Sequence, residues 1–172
     1  MPETKAFIGI DWGTHSSKWN WTLLEVGTSS LIPGHFKILR SEVCLDEGRI
    51  FLSEEAPSRG SRFERGIKGR LIKNPEAAFW AGPQRELKLT LGDLTSFSLW
   101  YLIGEVYSDL LKTFGAKPDN VEIRFSLPNW VDISEGAVGR ACYEQAARVA
   151  CRIFTDNREG WSRDSRPMLS EW

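Results

Sequence analysis

The sequence predicts an α/β fold, in which a mixed sheet opens with an antiparallel hairpin and carries packed helices. Three observations support this prediction. Short runs of β-forming residues occupy most of the first third of the chain. A long apolar pattern with helical spacing follows over residues 91–114, and a strand pattern separates it from a second helical pattern. Strands followed by helix, strand and helix are typical of a mixed sheet with helices on it.

The first third of the chain is predicted to form an antiparallel meander. An apolar run at residues 6–10 ends at Asp11, and a second strand follows at residues 18–26 after a polar turn. Together they indicate a hairpin whose turn is longer than the tight two-residue type. Two more strands are predicted at residues 36–43 and 49–52. Apolar and polar residues alternate in the second strand at Trp19, Trp21 and Leu23, and its tryptophans are predicted to pack in the core or on the hairpin face.

A basic segment separates this meander from the clearest helix of the chain. Arginine and lysine residues crowd residues 59–73, and periodicity supports a short helix at residues 63–72. The long helix is then predicted at residues 91–114. Thr90 opens a Thr-x-x-Asp capping box at its start, and Gly115 is placed to end it.

The last predicted elements are a strand at residues 121–127 and a helix rich in small residues. Asp132 or Ser134 would cap this helix, which is expected to end at about residue 153. The polar tail at residues 155–172 has no strong period.

The composition argues against several classes of function. The 22 Lys and Arg nearly balance the 23 Asp and Glu, so the charge does not indicate a partner among nucleic acids or acidic membranes. No apolar run approaches the roughly 20 residues that span a bilayer, and residues 1–6 lack the apolar core of a secretory signal. Cys44, Cys142 and Cys151 lie far apart without metal-ligand spacing, which predicts reduced thiols and a cytoplasmic protein.

The most informative segment surrounds the turn after the first strand, where residues 7–17 have the sequence FIGIDWGTHSS. Gly13 removes a side chain that would hold a ligand away from the backbone. Successive backbone N–H groups of residues 12–15 would point into one concavity, the arrangement that cradles phosphate oxygens. Thr14 and Ser16 would add hydroxyl donors.

Asp11 stands at the mouth of this turn. It would not bind phosphate directly, because two anions repel each other. It would instead hold Mg²⁺ through water, since Mg²⁺ keeps several waters and favours carboxylate and phosphate oxygens. The same pattern also suits a plain hairpin turn, in which Asp11 and Gly13 serve turn geometry alone.

The segment FIGIDWGTHSS resembles the first phosphate motif of the actin-like ATPase superfamily, and its IGID-x-GT core is most similar to that of the DnaK-type (heat-shock 70 kDa) chaperones. Three later segments follow in the family's order. LIPG at residues 31–34 resembles the family's Ile-Pro-Ser element. FERGIKGRLI at residues 63–72 resembles the segment of its catalytic lysine. VEIRFSLPNWV at residues 121–131 resembles its strand ending in Val-Pro-Ala-Tyr-Phe. The two long predicted helices also fall where the family has helices, so the resemblance covers most of residues 6–153.

The resemblance implies that residues 1–172 form the N-terminal lobe of an actin-like ATPase domain, with the ribonuclease-H-like fold of that superfamily. Its expected parts are a core of about residues 6–30 and 90–153, a small insertion subdomain of about residues 31–89, and a polar tail of residues 154–172.

The resemblance also implies residues that bind ATP or ADP. Asp11 would position the water shell of Mg²⁺. The β- and γ-phosphates would contact the Trp12 amide, Gly13, Thr14 and His15. Family members usually have small polar residues where this chain has His15, and a smaller apolar residue in place of Trp12.

Lys68 is similar to the catalytic lysine of the family. That lysine stabilises charge on the transferred phosphoryl group and helps to place the attacking water, which suits a reaction that depends on positioning and electrostatics. Arg65 or Arg70 takes the role if the alignment shifts around Gly69. A solvated basic helix face is the structural alternative for this segment.

Two further motifs of the family, its second phosphate motif and its Gly-rich adenosine motif, do not occur in the sequence. We therefore expect half of an ATP site, completed by a second lobe of the same domain and inactive by itself. LSEW at residues 169–172 is similar to the family's Asn-Glu-Pro, which would make Glu171 a water-orienting carboxylate. In the full-length protein, ATP hydrolysis would move the lobes and act on protein clients, with co-chaperones as further partners.

Two alternative functions stay open. Sugar kinases of the same superfamily have a similar first motif, and Ser17 and Lys18 fit it, whereas the order of Pro33, Lys68 and Pro128 favours the chaperones. A non-catalytic nucleotide sensor or protein-binding scaffold would account for the missing motifs.

Overall fold

Two long helices pack beside a four-stranded mixed sheet. The computed structural model describes residues 3–28, 30–46, 49–52, 62–64, 66–81, 88–127 and 133–157. In chain order the described elements are β1 (Thr4–Asp11), β2 (Ser16–Glu25), β3 (Ser30–Arg40), β4 (Val43–Asp46), β5 (Arg49–Leu52), β6 (Arg62–Glu64), α1 (Ile67–Lys73), β7 (Ala78–Ala81), β8 (Lys88–Thr90), α2 (Leu91–Phe114), β9 (Asn120–Phe125) and α3 (Ile133–Asn157). The α/β class, the mixed sheet and the antiparallel N-terminal hairpin are confirmed.

The main sheet has the strand order β3-β2-β1-β9. β1 and β2 pair antiparallel, with Asp11 opposite Lys18, and β2 pairs antiparallel with β3. β9 instead runs parallel to β1, with Phe125 opposite Ile10. The carboxyl ends of β1 and β9 therefore meet at the same edge of the sheet.

One face of this sheet forms the hydrophobic core. Alternate residues of β1 and β2 are buried, as the period of a half-buried strand requires. They are at most 3% exposed and comprise Ala6, Ile8, Ile10, Trp19, Trp21 and Leu23. The predicted core packing of the tryptophans is confirmed here, and α2 contributes Phe97, Trp100 and Tyr107 to the same cluster.

Both predicted ends of α2 are confirmed. The Thr90 hydroxyl accepts from the Asp93 backbone N–H at 3.1 Å, and the Asp93 carboxylate accepts from the Thr90 backbone N–H at 2.8 Å, which completes the capping box. Gly115 ends the helix in the left-handed region with φ 77°, and its N–H donates to the Leu111 carbonyl. No helix in the described part of the chain is long and apolar enough to cross a membrane.

The third strand begins earlier than predicted. β3 starts at Ser30, so residues 31–34 lie within a strand and not in the connection before it. Proline is tolerated there because β3 is an edge strand, and the register shifts where Pro33 pairs with Thr22. The expected subdomain boundary at residue 31 therefore falls inside a strand of the main sheet. Val43 belongs to the separate strand β4, in a second sheet of order β5-β4-β6.

The helix predicted at residues 63–72 is wrong at its start. Arg62–Glu64 is a strand, and α1 covers Ile67–Lys73. Gly66 separates them in the left-handed region with φ 67°, which a right-handed helix cannot continue through.

The last helix is longer than predicted. α3 continues to Asn157, so the first residues of the expected tail are helical. Of the two candidate caps, Ser134 lies inside the helix, and Asp132 lies outside the described residues.

Candidate functional site

The edge where β1 and β9 end together is the candidate site. In open α/β sheets, ligands bind outside the carboxyl ends of parallel strands. Asp11 ends β1, and Ser126 directly follows β9. The Ser126 backbone N–H donates to the Ile10 carbonyl at 2.9 Å, and its hydroxyl donates to Asp11 Oδ1 at 2.6 Å. The two strand ends are thus joined beside an exposed carboxylate.

The turn of residues 12–15 closes the hairpin at this edge. Two of its carbonyl groups are held from outside the turn: that of His15 accepts from the Ser41 N–H at 2.9 Å, and that of Trp12 accepts from Lys68 Nζ at 2.6 Å. The backbone N–H groups of residues 12–15 donate no hydrogen bond to any other described residue. Backbone donors of this kind bond to water or to a ligand, and consecutive ones favour an anion.

Gly13 makes the turn sterically feasible. A Cβ at this position would lie 2.0 Å from the Ser16 carbonyl oxygen and 3.1 Å from its carbon. Both atoms belong to the backbone, so a rotamer change would not relieve the overlap. Closure of the turn therefore requires the glycine by itself, as the plain-hairpin interpretation of Asp11 and Gly13 expects, whether or not a ligand approaches the backbone.

Trp12 anchors the turn to α3. Its side chain is 3% exposed and stacks on Tyr143, with ring centroids 5.6 Å apart and an interplanar angle of 15°. The Tyr143 hydroxyl donates to the Ser126 carbonyl at 3.3 Å. Burial, with a smaller effect of the Asp11 carboxylate, raises the pKa of Tyr143, so this hydroxyl stays a neutral donor.

Lys68 approaches the turn from α1. The helix is fixed by Ile67 and Leu71, which are 3% and 0% exposed and lie one turn apart. The half-buried Lys68 side chain donates a hydrogen bond to the carbonyl of Trp12, which lies 56 positions earlier in the sequence. Burial lowers the pKa of Lys68, and the nearby Asp11 carboxylate counteracts that effect by favouring the ammonium form.

The other predicted site residues have different positions. Thr14 and His15 are exposed in the turn. Arg70, the alternative to Lys68, is exposed on α1, and Arg65 and Glu171 lie outside the described residues. The structure therefore brings Lys68 to the predicted turn.

An open groove of about 350 Å³ leads from Asp11 across the sheet face opposite the core. Gly9 is one of its lining residues, and a Cβ at this position would lie 2.4 Å from Asn20 Oδ1. The groove is lined by Gly9, Ile10, Asp11, Lys18, Trp19, Asn20, Phe36, Arg124, Phe125 and Ser126. A ligand at the turn would thus have room beside the Asp11 carboxylate.

The described residues contain no group of three or more His, Cys, Asp or Glu that would coordinate a metal ion directly.

Sequence reasoning missed Ser126 and Tyr143. Ser126 had a usable signal, because a polar residue directly after a strand parallel to β1 lies at the same edge as Asp11. Tyr143 had none, since its place beside Trp12 depends on how α3 packs.

Comparison with models of known protein families gave no match, and comparison with curated proteins found no relative of this chain.

Proposed function

We propose that this chain is the N-terminal, phosphate-binding lobe of an actin-like, DnaK-type ATPase domain of a cytoplasmic protein. One observation carries the proposal. The resemblance assigns the phosphate turn and the catalytic lysine to segments far apart in sequence, and Lys68 Nζ lies 2.6 Å from the carbonyl of Trp12 in that turn.

The turn supplies the phosphate contacts. Its consecutive N–H groups, together with the exposed hydroxyl of Thr14 and imidazole of His15, present donors without an opposing side chain at Gly13. Phosphate oxygens are strong acceptors, and a concavity of backbone donors binds them with fixed partial positive charges. The stacked Trp12 keeps these donors in place before the ligand arrives, which reduces the entropic cost of binding.

Asp11 would hold Mg²⁺ through its bound waters, and the ion when bound would neutralise charge on the β- and γ-phosphates. The exposure of Asp11 leaves space for a hydrated ion, and the single carboxylate matches the preference of Mg²⁺ for water and phosphate oxygens.

Lys68 would stabilise negative charge on the transferred phosphoryl group. Its amine is held at the turn by the Trp12 carbonyl, and the Asp11 carboxylate supports its charged form. A preorganised cation in a partly desolvated position stabilises developing charge more strongly than one in bulk water.

The adenosine contacts would come from the second lobe of the same domain. A mixed sheet that starts with an antiparallel hairpin and adds a parallel strand supports assignment to a ribonuclease-H-like lobe. Hydrolysis would move the two lobes relative to each other and thereby act on protein clients and co-chaperones.

The test is ATP hydrolysis by the full-length native polypeptide. Lys68→Ala is expected to lower kcat by roughly 100-fold, the typical cost of removing one transition-state donor. Lys73→Ala is the matched control, since Lys73 is exposed on the same helix. Equal loss in both variants, or none in either, would contradict the assigned role of Lys68. Nucleotide binding without turnover in the wild type would instead favour the nucleotide-sensing scaffold.

A further inference from the structure

The structure assigns a positioning role to Ser126, whose hydroxyl contacts the Asp11 carboxylate. We propose that the Ser126 hydroxyl fixes the Asp11 carboxylate in the orientation that receives the water shell of Mg²⁺. This inference rests on the proposed function, because it concerns the same metal-nucleotide site.

The contact has the geometry of a strong hydrogen bond. Ser126 Oγ lies 2.6 Å from Asp11 Oδ1, within the range of about 2.5–2.7 Å typical of a hydroxyl bound to a carboxylate. A bond to one oxygen restricts rotation of the carboxylate about its last side-chain torsion. Oδ2 is then left to accept from the waters of an ion.

Ser126 is itself held on both sides. Its N–H donates to the Ile10 carbonyl at 2.9 Å, and its own carbonyl accepts from the Tyr143 hydroxyl at 3.3 Å. Tyr143 is 1% exposed and also stacks on Trp12. One buried side chain of α3 therefore supports both the phosphate turn and the serine that orients Asp11.

Such support matters because Asp11 is exposed. An exposed aspartate without a partner samples several rotamers, and ordering it when a ligand binds costs free energy. Hydrogen-bond partners of metal-binding groups typically change metal affinity or activity by roughly 10- to 100-fold when they are mutated. We expect about tenfold, the lower end of that range, because water can partly replace the hydroxyl.

The experiment uses the full-length native polypeptide and Mg²⁺–ATP as the probe. Calorimetric titrations measure ATP affinity with Mg²⁺ and with EDTA for the wild type, Ser126→Ala and Ser126→Thr. Ser126→Ala is expected to weaken Mg²⁺-dependent binding about tenfold and leave Mg²⁺-free binding unchanged. Ser126→Thr keeps the hydroxyl and should therefore keep the Mg²⁺-dependent affinity of the wild type. Ser30→Ala, at the opposite end of the main sheet, is the control for loss of an exposed serine.

A double-mutant cycle separates positioning from general structural damage. Once Asp11→Asn has removed the charge, Ser126→Ala should have no further effect on binding. Equal Mg²⁺-dependent affinity of the wild type and Ser126→Ala, with Asp11→Asn impaired, would overturn the role of Ser126 and leave the proposed function intact. Absence of Mg²⁺–ATP binding by the wild type would refute both.

Discussion

Trp12→Leu offers a quantitative test of how the turn is anchored. The substitution keeps a buried apolar side chain but removes the ring that stacks on Tyr143 at 5.6 Å. Trp19→Leu is the matched control, because Trp19 is equally buried at 2% exposure in the adjoining strand.

The expected cost follows from buried area and contacts. A buried tryptophan removes about 200 Å² from water, which corresponds to roughly 5 kcal/mol at about 25 cal/mol per Å². A buried leucine retains about 2 kcal/mol of this, and loss of the stacked ring pair adds about 1 kcal/mol. Trp12→Leu should therefore lower the free energy of unfolding by about 4 kcal/mol.

Trp19→Leu should lower the free energy of unfolding by less than Trp12→Leu does. Trp19 Nε1 is buried without a hydrogen-bond partner among the described residues, so removing it relieves a penalty of about 1 kcal/mol or more. The expected loss is therefore about 2 kcal/mol. Both losses lie below the stability of roughly 5–15 kcal/mol typical of native proteins, so the folded forms of both variants should be measurable.

Urea unfolding followed by far-ultraviolet circular dichroism measures both free energies without relying on tryptophan fluorescence. The midpoint should fall further in Trp12→Leu than in Trp19→Leu, with an unchanged denaturant slope. Phosphate binding should be impaired only in Trp12→Leu. Equal losses of stability, or a loss below about 1 kcal/mol in Trp12→Leu, would refute the assignment of Trp12 as the anchor.

Three other substitutions test separate parts of the site. Gly13→Ala places a Cβ 2.0 Å from the Ser16 carbonyl oxygen, and should destabilise the chain by about 1–3 kcal/mol in urea unfolding and abolish phosphate binding. Gly69→Ala places a Cβ in open space on α1, and should raise the free energy of unfolding by about 0.5–1 kcal/mol in the same assay. A lower free energy of unfolding would contradict the exposed helical position of Gly69. Lys68→Met tests the lowered pKa of Lys68. Between that lowered pKa and the ordinary lysine pKa of 10.5, the unfolded wild type binds more protons than the folded wild type. The free energy of unfolding of the wild type should therefore rise with pH relative to that of the variant. Parallel pH profiles of the two unfolding free energies would exclude the desolvated lysine.

The elements that the sequence predicted well are those with local signals. The ends of α2 follow from the Thr90 and Asp93 capping box and from Gly115, all within a few residues of the helix. The buried stripe of β2 follows from the alternation of its tryptophans. The predictions failed where a glycine or proline has two possible roles: Gly66 breaks the helix before α1, whereas Pro33 lies inside an edge strand.

In the candidate site too, the residues with local sequence signals were predictable and those placed by tertiary packing were not. Asp11 and Gly13 belong to one contiguous segment, so a motif could indicate them. Lys68 was proposed from a resemblance, and its contact with the turn depends on how α1 is anchored in the core. Ser126 and Tyr143 come to the site only through parallel pairing of β9 with β1 and through packing of α3. No local pattern specifies that pairing or that packing, although the polar residue directly after β9 is visible in the sequence.

The most direct test of the central claim is the calorimetric affinity of the full-length polypeptide for Mg²⁺–ATP, compared between the wild type and Asp11→Asn. Asparagine keeps the oxygen that accepts from Ser126 and removes only the charge, so the fold of the turn should persist. We predict Mg²⁺-dependent binding in the wild type and its loss in Asp11→Asn. No binding by the wild type, or equal Mg²⁺-dependent binding by both proteins, would contradict the assignment of this turn as a metal-nucleotide site.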